Sequence, residues 1–97
     1  AFIDWVRGMI ALRDPARASE AASHLGKACE QFLGLVRKAP GAWPSLAVCT
    51  CDYALALAWS GRAEMGRTVF ASVQPVARHH AEPERLVLLE RELRLRG

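Results

Sequence analysis

From Leu46 to Trp59 nearly every residue is apolar or small, with only Thr50 and Asp52 interrupting, and Ser60-Gly61-Arg62 follows at once. A helix that is apolar all round has to be packed between neighbours on several sides. Gly61 supplies a left-handed stop, and from Ala63 a second helical pattern places Met65, Val69, Phe70 and Val73 on its inner side. The stretch therefore reads as a helical hairpin with a buried first arm. At about 14 residues, Asp52 included, the apolar run falls short of the roughly 20 that cross a bilayer, so no membrane span is expected.

The flanking sequence continues the helical reading. Phe2, Val6, Met9 and Ile10 fall on one stripe of a first helix, Phe2 to about Arg13, with Trp5 and Leu12 at its border. Gly8 reads as a local weakness of about 1 kcal/mol relative to Ala. Asp14-Pro15 ends this helix and opens the next: Asp accepts from free N–H groups of the following turn, and Pro suits the first helical position. The second helix, Pro15 to about Lys38, carries Ala18, Ala21, Ala22, Leu25, Ala28, Cys29, Phe32, Leu33 and Val36 at three-and-four spacing. Its Ala-lined early half allows a neighbour to come close. Residues 39–44 form a loop with two prolines and a glycine, and Pro44 or Ser45 opens the third helix. Pro75 is expected to kink or end the fourth. Pro83 opens a last helix to about Arg96, with Leu86, Leu89 and Leu93 on one stripe and Glu90–Arg94 and Glu92–Arg96 as four-apart ion pairs. The expected fold is all-α, with about five helices and no strand signal.

Ninety-seven residues suit a single domain, 1–97. An apolar fraction of 52% is high enough that some of the surface should be covered by another chain or by further sequence. Together with a helical pattern that already runs at Phe2-Ile3, this suggests a domain of a longer protein. Thirteen Lys and Arg against ten Asp and Glu give +3, but the signs alternate along the chain, as on solvated helix faces. A nucleic-acid binder would instead show a one-signed stripe, so nucleic acid is not an expected partner. Three cysteines form no disulfide framework, which fits an intracellular, reducing compartment, cytoplasm or nucleus.

Little in the sequence promises chemistry. Cys49 and Cys51 with His79-His80 have the ligand types of a zinc site. Residues two apart on a helix point about 200° apart, however, so the two thiols cannot readily face one metal. No metal or other cofactor is expected. His24, His79 and His80 belong to no nucleophile motif, and no phosphate-cradling glycine loop or paired-carboxylate signature is present, so no enzyme is expected. Trp5 and Trp59 read as core residues. Trp43, between prolines in the loop, is the better contact residue, because Trp is over-represented among the residues that carry affinity at interfaces.

The two hairpins, 2–38 and 45–80, align at an offset of about 45 residues, within the range of helical repeats. Leu12 falls on Leu57, Ala21 on Gly66, Leu25 on Phe70 and Ala28 on Val73. Tyr53-Ala54, Leu57, Gly61, Gly66 and Phe70 resemble a tetratricopeptide repeat, and Trp5, Leu12, Ala21, Leu25 and Ala28 look like a more worn copy. The chain departs from that pattern in its longer second helix, in Val73, in the early Pro75 and in a period above 34. The resemblance implies two antiparallel hairpins stacked as a right-handed array, followed by the helix 83–96. It also implies a non-catalytic protein–protein interaction module that binds a peptide or helix of a partner or of its own full-length chain. In such scaffolds the first helix of each hairpin lines the concave side, which points to Ile3, Val6, Ile10, Cys51, Leu55 and Trp59 as the binding face; Trp43 joins the candidate contact residues on the strength of its loop position alone. The alternative is a self-association domain, a homodimer formed through the same kind of apolar surface. Either a partner, a second copy or the last helix folding back should cover that face.

Overall fold

The computed structural model describes residues 2–96 and contains five α-helices, with no strand among the described residues. They are α1 (Phe2–Leu12), α2 (Ala18–Val36), α3 (Trp43–Trp59), α4 (Ala63–His80) and α5 (Pro83–Leu95). Each helix packs against the next in sequence, and α5 lies against both α3 and α4. None is long and apolar enough to cross a membrane.

The helix ends follow the local chemistry. The Asp14 carboxylate accepts from the backbone N–H of Ala16 at 3.0 Å, and Pro15–Arg17 forms a short 3-10 turn before α2 begins at Ala18. A second 3-10 turn, Pro40–Ala42, delivers the chain into α3, so Trp43 stands in the first turn of a helix and not in a loop. At the far end of α3, Gly61 has φ +86°. The N–H of Arg62 donates to Leu57 O at 2.7 Å and that of Gly61 to Ala58 O at 3.3 Å, which is the paired closure of a Schellman turn.

Two apolar clusters share α3. The first joins Ala11 of α1 and Ala21, Leu25 and Phe32 of α2 to Leu46, Cys49 and Leu57 of α3. Trp5 and Phe2 pack edge-on against Phe32, with ring centroids at 5.5 and 5.3 Å. The second joins Ala47, Cys51, Ala54 and Ala58 of α3 to Phe70 and Val73 of α4 and Leu89 and Leu93 of α5. Burying a side chain such as Leu25 or Leu57 stabilises by about 1.5–3 kcal/mol, and both are fully enclosed.

Besides the place of Trp43, three sequence expectations change, and the one at Pro75 is narrowed to a helix that does not end there. The residues of α1 that are buried are Gly8 and Ala11, while Val6 and Ile10 face outward, Phe2 is exposed except where its ring meets Phe32, and Met9 is half-buried. The reason is proximity: a Cβ on Gly8 would lie 2.5 Å from Leu25 Cγ, so the helices meet where a side chain is missing. Gly8 is the contact point of α1 on α2. Met65 and Leu33 are likewise exposed, and the inner face of α4 is Ala63, Gly66, Phe70, Val73 and Ala77. Pro75 lies inside α4, which runs on to His80. Both Pro75 and Ala71, four residues earlier, are exposed, so water can reach the carbonyl left without its helical partner. On α5, Glu92 pairs with Arg96 at 2.9 Å, but Glu90 reaches Arg78 of α4 at 3.8 Å rather than Arg94.

Candidate binding groove

The arrival of α5 beside α3 leaves a recess bounded by α1, α3 and α5, with a volume of about 290 Å³. From α3 come Cys51, Leu55 and Trp59; from α1 and the turn after it, Met9, Leu12 and Arg13; from α5, Arg85, Leu88 and Leu89. Leu55, Trp59, Met9, Leu12 and Leu88 are half-buried, so their apolar surface is open to whatever enters. Leu89 and Leu93 of α5 are buried against the second cluster, with Leu86 half-buried beside them. The last helix thus folds back as one wall of the recess and does not fill it.

On the floor is an acid. Asp52 is only 5% exposed. Its Oδ2 accepts from the indole N–H of Trp5 in α1 at 3.0 Å, and its Oδ1 from Nη1 of Arg85 in α5 at 3.1 Å. The same Arg85 nitrogen lies 4.0 Å from Met9 Sδ. One carboxylate therefore ties together the three helices that bound the groove. Burial pushes the Asp52 carboxyl above its ordinary range, and the indole and guanidinium pull in the other direction without cancelling it. Arg85 is 43% exposed, so the pair is buried on one side only and water can compensate the guanidinium when its partner is removed. With both oxygens engaged, Asp52 is placed for holding helices and for setting the charge at the rim, where Arg85 remains partly exposed.

Of the residues expected at the binding face, Cys51, Leu55 and Trp59 are brought together here. Ile3, Val6 and Ile10 are not: they are 69%, 55% and 48% exposed on the outer side of α1, away from the groove. Trp43 is elsewhere again. It edges a second recess of about 380 Å³ between α2, α3 and α4, whose walls include Cys29, Leu33, Thr50, Tyr53 and Val73. The residues α3 sends to the two recesses differ by about half a turn of the helix, so they open on opposite sides of it. Sequence reasoning missed Met9 and Leu12 as groove residues and missed the Trp5–Asp52–Arg85 link. The available signal was Asp52 itself, a lone acid within an apolar run, which calls for a partner wherever the fold supplies one.

Cys49 and Cys51 belong to different clusters, Cys49 beside Cys29 and Cys51 at the groove. Among the described residues, no group of three or more His, Cys, Asp or Glu side chains is placed to hold a metal ion. His79 and His80 are exposed at the end of α4. Compared with protein-family models, with curated proteins and with solved structures, the chain matches none of them.

Proposed function

We propose that the chain is a non-catalytic interaction module whose α1–α3–α5 groove takes an apolar segment of another protein. The observation that carries this reading is the recess itself: half-buried Leu55, Trp59 and Leu88 around an ion-paired Asp52, with Arg13 and Arg85 at the edge. Apolar walls with a few placed polar groups are the usual make-up of a binding site. The two arginines favour a segment with acidic residues beside its apolar anchors. The tetratricopeptide-like spacing supports the same reading. Ala21, Leu25 and Ala28, with their counterparts Gly66, Phe70 and Val73 at the 45-residue offset, are all buried.

The test is selection of a displayed peptide library on the purified chain, followed by titration of the selected peptides into isotopically labelled protein. Resonance shifts should centre on Leu55, Trp59 and Leu88. Leu55→Asp should weaken binding at least ~10-fold, as loss of a central anchor does, with the thermal transition retained. Peptides that shift none of these residues would sink the proposal. A second reading, self-association, is favoured by one observation: Ile3, Val6 and Ile10 form an uncovered apolar face on the outside of α1. It requires a concentration-dependent dimer in sedimentation that Ile10→Asp abolishes.

A further inference from the structure

Cys29 of α2 and Cys49 of α3 place their sulfurs 3.6 Å apart, although 20 residues separate them in sequence. Cys49 is fully enclosed in the first cluster. Cys29 is half-buried and forms part of the wall of the 380 Å³ recess edged by Trp43, which Cys49 does not line. Thr50 Oγ1, whose own hydroxyl donates to Leu46 O at 2.7 Å, lies 3.7 Å from Cys29 Sγ. The third thiol, Cys51, is on another side of α3, in the second cluster.

We propose that Cys29 and Cys49 form a peroxide-responsive dithiol, in which Cys29 is the sulfur that attacks the oxidant and Cys49 the one that resolves it. The Cys29 thiolate attacks one oxygen of hydrogen peroxide; the O–O bond breaks, Cys29 becomes a sulfenic acid, and hydroxide leaves and is protonated to water. The sulfur of Cys49 then attacks that of Cys29, the S–O bond breaks, and the departing hydroxide takes the Cys49 proton as a second water. Two thiols lose two electrons and two protons in total, and one peroxide is reduced to two waters. Closing the gap from 3.6 Å to a bond of about 2.05 Å takes a movement of about 1.5 Å shared between two side chains.

The local environment divides the roles in the same way. The contact with Cys49 lowers Cys29 below the ordinary thiol value, against the opposing effect of burial. That contact and then burial raise Cys49, which keeps its proton until it is needed. Burial, helped by the neighbouring Asp52, pushes Cys51 up to about 12, so it stays a thiol. Once formed, the bond fixes α2 to α3 across the segment that carries Trp43, closing a loop of the size for which a cross-link restricts the unfolded chain appreciably.

The experiment treats the purified chain with stoichiometric hydrogen peroxide and counts thiols after unfolding. The three free thiols should fall to one, with a Cys29–Cys49 peptide in the nonreducing digest and full recovery on adding dithiothreitol. Cys51→Ala should leave the cross-link unchanged. Cys49→Ala should stop at a Cys29 sulfenic acid, trapped by dimedone. The wild-type count stands alone if that variant does not fold. Three thiols remaining, a bond that includes Cys51, an intermolecular Cys29 dimer, or oxidation of Cys29 to the sulfinic acid without a bond would each overturn the proposal.

Discussion

The two helical hairpins reach the same tight pairing from opposite partners. In the first, the residue without a side chain is Gly8 on the leading helix, and it faces Leu25, where a Cβ would come within 2.5 Å of Cγ. In the second it is Gly66 on the trailing helix, and it faces backbone: a Cβ would lie 2.9 Å from the Ala54 carbonyl oxygen and 3.1 Å from Leu93 Cδ2 of α5. The 45-residue alignment pairs Gly66 with Ala21, not with Gly8. What the hairpins share is a missing Cβ at the point of closest approach, while its position along the chain is free to differ. The two contacts should also yield differently, since the Leu25 side chain can shift in part, with its backbone N at 3.3 Å setting the limit, and a helical carbonyl cannot.

Gly66→Ala tests the stiffer contact and should have the largest effect, a loss of about 3 kcal/mol by denaturant unfolding, at the upper end of overpacking costs. It should loosen α5 as well, because Leu93 is the second obstacle. A loss below about 1 kcal/mol would show that α3 and α4 slide apart cheaply, and the contrast with the first hairpin would disappear. Gly8→Ala should cost less, about 2 kcal/mol, since Ala returns up to about 1 kcal/mol of helix propensity and Leu25 can partly yield. Leu25→Val should then destabilise less in the Gly8→Ala background than alone. Additivity of the two changes would mean that Leu25 is not what Gly8 avoids.

The smallest effect concerns the helix both hairpins share. Asp52 has a folded-state pKa raised above its ordinary 3.8, so between the two values the folded chain binds more protons than the unfolded one. Stability contributed by this group is therefore present below the ordinary value and is lost as pH rises through the raised one. Asp52→Asn can still accept from Trp5 and carries no charge to desolvate. It should stay within about 1 kcal/mol of the wild type at pH 7, because lost desolvation and lost pairing oppose each other. As the pH is lowered from 7 towards 4 the wild type should gain on the variant. Parallel stability curves for the two proteins over that range would contradict the assigned shift.

What was legible in the sequence is what short-range chemistry decides. Asp14 before Pro15, Gly61 after Trp59 and the all-round apolar α3 each act within a turn or two, and each is found where the residues put it. The facing of α1 was not legible for a physical reason. Hydropathy weights large side chains, whereas close approach selects small ones, so Gly8 and Ala11 carry the contact while Val6 and Ile10 look outward. Gly66 beside Met65 repeats the lesson in α4. The groove was half legible. Cys51, Leu55 and Trp59 share a helix face at any tertiary arrangement, but the bond from Trp5 to Asp52 spans 47 residues and that from Arg85 spans 33, and no local pattern encodes either.

Because α3 contributes to both apolar clusters, neither hairpin owns a complete core. Unzipping the first strips one side of α3, and unzipping the second strips the other, so each half is a ligand for its neighbour in the thermodynamic sense. An opening that begins at either end of the chain meets the same barrier when it reaches this helix. The central helix thereby couples the two clusters, since loosening either one removes part of the packing that holds α3 against the other.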